Sequence, residues 1–332
     1  MLKDGGTLQD YFVSSRLIAA PLPGDLKPYN HQIGGLNPEK PAKNKFLFDP
    51  SSATVYKVLS AQRKGFEEAR FYESVFSTTS TCPFLRRLKA FLPAYRGLFY
   101  QVDTHHYLVG LEDMLNGMEH PNAMDLKLGR VSYTPDATPA KVSTEKAKYP
   151  WRRKLGFFIT GIRVDGVFYD RVYGKSIGPT TVYEKGVRVF LGGDDVTRRT
   201  LLARAFLDRL RQLTDWFEEQ MRYRFVASSL FLCYDWSEPR SPGDLALPND
   251  RFLRVYLIDF ARWSELLDGC VPSLDFNVLY GLHRLLKLFR RAAQLETAKT
   301  TKVIDSGRNN SNLLSPSPCS LPSSPTHKTY TA

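Results

Sequence analysis

The sequence predicts an α+β protein in two lobes, and three observations predict it. Strand-like runs come first, a connector follows, and mixed strands and amphipathic helices fill the remainder. The 332 residues are 42% hydrophobic and 24% charged, an ordinary balance for a globular protein able to bury a sizeable core.

Residues 1–30 read as an irregular N-terminal segment punctuated by "PLPG" and "KPYN", with regular structure expected from His31. "NKFLFDP" (44–50) and "ATVYKVLS" (53–60) read as strands joined at "DPSS". "RKGFEEARFYESVFST" is helical, with Phe66, Phe71 and Val75 on an apolar side and Glu67 and Glu68 on a more polar one. "GLFYQVDTHHYLVGLEDM" (97–114) gives strands running into the connector, and "LGFFITGIRVDGVFYDRV" (155–172) is a hairpin turning at "DG". A long amphipathic helix is expected from Thr197 to about Arg224. The strands "RFVASSLFLCYD" and "FLRVYLIDFARW" follow, then a helix over 276–296. The expected division is therefore 1–30 irregular, 31–114 N-lobe, 115–297 C-lobe, and 298–332 a disordered Ser/Pro/Thr-rich tail.

No run of 18 apolar residues exists, so no membrane span is expected, and "MLKDGGTLQDYF" lacks the apolar core of a secretory signal. Cys82, Cys233, Cys270 and Cys319 have neither metal nor disulfide spacing, which points to a reducing, intracellular compartment. A net charge of +12 implies an anionic partner: a phosphate-rich small molecule, a membrane surface or nucleic acid. No aromatic RNA-binding signature supports the last, and no nucleic acid is expected.

Chemistry concentrates at four places. In "MDLKLG", a strand over Met124–Leu128 points Asp125 and Lys127 to one face and Met124, Leu126 and Leu128 to the other. The pair fits the positioning of a hydroxyl and the steadying of developing charge; it also fits a surface ion pair of little energetic worth. Lys57, on the strand "TVYKVLS", with Glu68 on the next helix, fits a lysine that grips nucleotide phosphates and a glutamate that orients it, and read alone it fits still better a lysine snorkelling at a strand edge. Asp259 is the lone acid ending the apolar strand "YLID", suited either to Mg²⁺ or to capping. With the acidic connector "LEDM", these follow the order of a kinase site, yet the protein-kinase H-R-D loop and a full G-x-G-x-x-G are absent; "HQIGG" (31–35) is a poor substitute. "WRRK" (151–154) and "FRR" (289–291) read first as solvated faces.

"PNAMDLKLG" (121–129) resembles the P-x-x-x-D-x-K-x-G signature of the inositol polyphosphate kinase family. "ASSLFLCYD" is similar to its S-S-L-L segment with Phe231 for the second leucine, "IDFA" (258–261) to its Mg²⁺-binding tetrapeptide, "EARFYESVF" to its glutamate-led helix and "LEDM" to its hinge. Together these span His31 to Leu295. The short stretch before "LGFFITGIRV" and its "KYP" segment resemble the multikinase branch most.

The resemblance implies the two-lobed inositol polyphosphate kinase fold, related to protein-kinase and ATP-grasp architecture, with antiparallel sheets and flanking helices. It implies MgATP-dependent phosphorylation of inositol 1,4,5-trisphosphate and tetrakisphosphate. Trisphosphate 3-kinase, hexakisphosphate kinase and a non-catalytic phosphoinositide-binding adaptor are the alternatives. Asp125 and Lys127 would be catalytic; Lys57, supported by Glu68, would grip the ATP phosphates; the backbone of Glu112 and Met114 would meet adenine. Val55, Leu230 and Ile258 would wall the base, Ser228 and Ser229 would brace the phosphate side, and Asp259 would hold Mg²⁺. Lys64, Lys148 and Arg262 would bind inositol phosphates. Arg262 stands where multikinases often have histidine, and Thr144 and Glu145 where glutamines are expected. A monomer in the nucleus and/or cytoplasm is expected, with phosphoinositide head groups as further ligands.

Overall fold

The computed structural model describes residues 12, 17–33, 46–61, 63–79, 82–236, 252–266 and 271–294. The expected tail, Gly34 and Gly35 of "HQIGG", and Cys270 and Cys319 lie outside them. The first sheet is built from β1 (Ala20–Pro21), β2 (Lys27–Pro28), β3 (Phe46–Asp49), β4 (Thr54–Val58), β5 (Tyr95–Gln101) and β6 (His106–Glu112). Its order is β1-β5-β6-β4-β3-β2, antiparallel except where β1 runs parallel to β5. Two of these strands fall inside the segment expected to be irregular. Phe12 is also buried there, its ring 5.8 Å from Phe66 and 4.6 Å from Tyr107, so apolar burial brings chain upstream of His31 onto the sheet.

Helix α1 (Arg63–Phe76) follows β4 and buries Phe66, Ala69, Phe71, Tyr72 and Val75. Glu68, expected on the polar side, is buried as well, because Lys57 awaits it there. A short helix α2 (Pro83–Leu88) precedes β5.

The second sheet has the order β12-β11-β7-β8-β9, from β7 (Pro121–Leu128), β8 (Phe157–Val164), β9 (Val167–Tyr169), β11 (Ser229–Asp235) and β12 (Leu253–Ile258). β8 and β9 form the expected hairpin at Asp165–Gly166. Between β7 and β8 lie α3 (Pro139–Lys148) and α4 (Arg152–Leu155), and α5 (Arg171–Ser176) follows β9. Helix α3, not expected from its mostly polar sequence, starts at a Thr138 cap with Pro139 in its first turn.

The long helix α6 (Val196–Glu219) stops five residues short of the expected end at Arg224. The Gln220 side chain bonds the amide and carbonyl of Tyr223, turning the chain into β10 (Tyr223–Phe225). β10 pairs with β13 (Trp263–Glu265) as a separate ribbon. The two runs read as single long strands are thus each broken in two, at Ala227 and Asp259, whose φ values are 61° and 65°. Helix α7 (Phe276–Gln294) packs against α6 beneath the second sheet, over a core that includes Leu126, Leu128, Leu230, Leu232 and Leu257. Among the described residues, no helix is long and apolar enough to cross a membrane.

Candidate active site

A cleft of about 310 Å³ collects side chains from both sheets. Strand alternation on β7 sends Met124, Leu126 and Leu128 into the core and leaves Asp125 and Lys127 on the cleft side. The same parity runs across the sheet. Lys127 lies opposite Ser229, which lies opposite Ile258, and Asp125 lies opposite Phe231; all five line the cleft. Leu230 has the opposite parity, aligned with Leu126 and Leu257, and is wholly buried in the core. The expectation of Leu230 as a cleft wall is therefore corrected: Phe231 takes that place, beside Val55 and Ile258. Ser228 is likewise buried outside the cleft lining, its carbonyl taking the Leu128 amide at 2.9 Å, so only Ser229 of the pair faces the cleft.

The strand ends at Gly129, whose φ of +96° is one that side chains resist. A Cβ there would come within 2.5 Å of the Asn277 side chain, so the position demands glycine twice over.

Facing β7, the Lys57 ammonium on β4 meets Glu68 of α1 at 2.6 Å and Asp259 at 2.5 Å, joining residues 202 apart in sequence. Asp259 reaches it from a left-handed backbone that costs of order 1–3 kcal/mol. Its neighbour Phe260 is fully buried, stacked on Phe71 at 3.8 Å, which wedges the turn in place. Burial works against charge on Lys57, but Asp259 and Glu68 overcome it and hold its ammonium well above the usual lysine range. Burial raises Glu68, with Lys57 opposing; the Asp259 carboxyl is lowered, burial notwithstanding, by Lys57 and Lys127.

Asp125 differs. Burial, then the charge of Asp259, push its carboxyl up to about 6 while Lys127 pulls it down. The carboxylate is nearly enclosed; the Thr160 and Ser229 side chains help to pull it down, and among the described residues its Oδ1 has no hydrogen-bond partner. A bulge between Asp125 and Leu126 turns Thr160 of β8 toward the cleft, where its hydroxyl donates to the Asp125 carbonyl at 3.1 Å. A buried carboxylate with one oxygen left open to a donor, next to a lysine, suits an incoming hydroxyl.

At the hinge, Glu112 and Met114 both line the cleft. The Glu112 amide is committed to the Ala94 carbonyl at 2.9 Å, and the Met114 carbonyl accepts from Arg254 at 2.8 Å. A base read here would therefore use the Glu112 carbonyl and the Met114 amide. Asp113 between them accepts from the Tyr29 hydroxyl at 2.6 Å, drawing the 29–33 segment to the cleft, where Tyr29, His31 and Gln32 add to the lining.

Lys64, Lys148 and Arg262 sit in one cationic cluster with Lys141, and none of the four lines the cleft. Burial and then the charges of Arg262, Lys141 and Lys148 hold the Lys64 ammonium below its usual range. Lys64 stands one helical turn before Glu68 on α1, which links the cluster to the cleft. Arg262 donates to the Ser132 carbonyl at 2.8 Å. Glu145, an acid where glutamine was expected, is buried between Lys141 (3.0 Å), Lys148 (2.7 Å) and Ser132 (2.9 Å). Burial opposes its charge, yet those hydrogen bonds hold it at about 2, so it organises the lysines.

Residues missed by sequence reasoning include Arg171, Thr160 and Lys141. Arg171 lines the cleft as the first residue of α5, whose cap, Asp170, accepts from Val172 and Tyr173. The Asp after the hairpin was a legible cap signal. Lys141 carries an i,i+4 relation to Glu145 that only the unexpected helix α3 makes meaningful.

A family model for inositol polyphosphate kinase matches residues 108–290. Over 246 residues the chain is 30% identical to the human inositol polyphosphate multikinase, covering 72% of this chain and 57% of that protein. Over 305 residues it is 30% identical to the rat multikinase, covering 85% and 74%. A solved structure of the inositol phosphate multikinase Ipk2 from S. cerevisiae, in complex with ADP and Mn²⁺, superposes with a TM-score of 0.54 at 22% identity over 71% of this chain and 98% of that one. This last likeness shows the fold.

Proposed function

This chain belongs to the inositol polyphosphate kinase family, and from that premise we propose that it transfers the γ-phosphoryl group of ATP to hydroxyls of inositol 1,4,5-trisphosphate and of its tetrakisphosphate product. The observation that carries the reading is the convergence of Lys57, Asp259, Asp125 and Lys127 on one cleft, with a cationic cluster at its side. Phosphoryl transfer requires positioning and charge neutralisation more than covalent chemistry, and these residues supply both.

Lys57, steadied by Glu68, grips the nucleotide phosphates. Adenine lies between Val55, Ile258 and Phe231 and is read by the Glu112–Met114 backbone. The buried Asp125 carboxylate accepts the hydrogen bond of the attacking hydroxyl and takes its proton; Lys127 holds the phosphoryl oxygens in transit. Lys64, Lys148 and Arg262, with Lys141, bind the acceptor's phosphates through charge-assisted hydrogen bonds. Phosphoinositide head groups present the same chemistry.

Among the described residues no three acids, histidines or cysteines cluster into a metal cage. The donor set nonetheless fits Mg²⁺, which is commonly held by one or two carboxylates together with substrate phosphates and water. The Asp259 carboxylate, 37% exposed toward the cleft, would hold the ion, which would neutralise charge on the phosphates. The same reading takes 31–114 and 115–297 as the two lobes, and a monomer in the nucleus and/or cytoplasm as the working form.

The test is turnover of MgATP with inositol 1,4,5-trisphosphate, with products resolved by phosphate number. Sequential tetrakis- and pentakisphosphate formation supports the reading. A product that stops at tetrakisphosphate would reduce it to a trisphosphate kinase, and ATP-independent binding alone would leave an adaptor.

A further inference from the structure

The motif "WRRK", first read as a solvated face, divides in the structure. Trp151, Arg153 and Lys154 are exposed, whereas Arg152 is 8% exposed and turned inward. Its Nη1 lies 3.3 Å from the Lys127 carbonyl, 3.4 Å from that of Leu128 and 3.2 Å from that of Gly129. Three consecutive carbonyls converge on one guanidinium nitrogen where Gly129 takes its left-handed conformation. Arg152 comes from α4, a single turn closed by Gly156, whose amide bonds the Arg152 carbonyl at 2.7 Å. The Gly156 carbonyl in turn accepts from the Gly129 amide at 2.8 Å. The guanidinium also lies 5.9 Å from the ring centroid of Phe158, the residue paired with Lys127 across β7 and β8. A buried cation is expensive unless neutralised; here three main-chain oxygens accept from it and the Glu145 carboxylate lies near enough to favour its charge, while burial still holds the guanidinium down to about 10.

Resting on the kinase reading, we propose that Arg152 is a positioning residue that clamps the end of the Asp-x-Lys strand and thereby holds the Lys127 side chain on line with the transferring phosphoryl. The clamp acts through the backbone: Lys127 reaches the cleft, while its carbonyl is fixed from behind by Arg152. A lysine at 152 keeps the charge but has no planar fork to reach several carbonyls, so it replaces the arginine poorly.

The test compares wild type, Arg152→Met, Arg152→Lys and the exposed neighbour Arg153→Met by steady-state kinetics and by amide hydrogen exchange. Both Arg152 variants are expected to lose about 10- to 100-fold in kcat, as a displacement on the order of 1 Å at a transfer site does, with the KM for ATP changed less than about twofold. Added guanidinium at millimolar concentration should restore part of kcat to Arg152→Met and none to Arg153→Met, which should behave as wild type. Exchange at the Leu128 and Gly129 amides should quicken in the Arg152 variants while that of Leu232, in the centre of the same sheet, stays protected. Unchanged kcat, an equal rise in the KM for ATP, or unaltered exchange at residues 128–129 would overturn the proposal. If Arg152→Met does not fold, Arg152→Lys decides on the same criteria. Absence of turnover in wild type would sink the kinase reading; exchange alone would then say whether the clamp exists.

Discussion

Replacing Asp125 with asparagine should make the protein more stable and inactive. The carboxyl is buried beside Asp259, which moves its pKa from an ordinary 3.8 to about 6. At about 1.4 kcal/mol per pH unit, holding it ionised costs the fold about 3 kcal/mol. Below about pH 4 both folded and unfolded chains carry the proton and the cost is absent. Between about pH 4 and 6 the unfolded chain releases it while the folded one keeps it, so wild-type stability falls; above about 6 the loss is complete. Asparagine keeps the shape and never ionises. The stability of Asp125→Asn relative to wild type should therefore rise by about 3 kcal/mol from pH 4 to pH 8. Urea unfolding of both proteins at several pH values, followed by intrinsic tryptophan fluorescence, measures the gap. A gap that does not change with pH would refute the reasoning, since it would mean that the carboxylate is solvated and its Oδ1 is not a buried acceptor awaiting a hydroxyl.

Turnover should fall as pH drops through about 6, because protonated Asp125 cannot accept the proton; a rate profile level down to pH 5 would exclude Asp125 as the base. Lys57→Met leaves Glu68 buried without its cation and should lower stability by about 3 kcal/mol, with Glu68→Gln in the same chain recovering much of it, as thermal unfolding would report. Leu230→Ala should cost about 3 kcal/mol of stability with little change in the KM for ATP, whereas Phe231→Ala should raise that KM severalfold; the reverse pattern would return Leu230 to the cleft.

Much of this architecture was legible because alternation and helical period are local. The two faces of Met124–Leu128, the Asp165–Gly166 hairpin and the apolar side of α1 follow from side-chain spacing alone. Leu230 was misplaced because its strand was read without its register: once Ser229 pairs with Lys127, parity sends Leu230 inward. Glu68 illustrates the converse, an acid that belongs on the polar side of its helix until a lysine from β4 meets it. The backbone reversal at Ala227 lacked a signal, since alanine disfavours left-handed geometry, and the aspartate at 259, though of a type that enters it more readily, still does so too seldom to mark a break by itself. Nor could spacing reveal that Asp259 would close on Lys57, because that contact depends on both sheets and on the Phe260–Phe71 stack. Helix α3 was hidden by its polarity: it is held by a cap and by the Glu145–lysine pairs rather than by an apolar stripe.

Lys57, Asp125, Lys127 and Asp259 are proposed to form one phosphoryl-transfer site. The decisive assay is transfer of label from γ-labelled ATP to inositol 1,4,5-trisphosphate by wild type, Lys127→Ala and Asp259→Asn. Wild type should yield labelled tetrakis- and pentakisphosphates, and each folded variant should lose about 100-fold or more. Labelled product formed at the wild-type rate by either variant, or none from a wild type that still binds the inositol phosphate, would contradict that assignment.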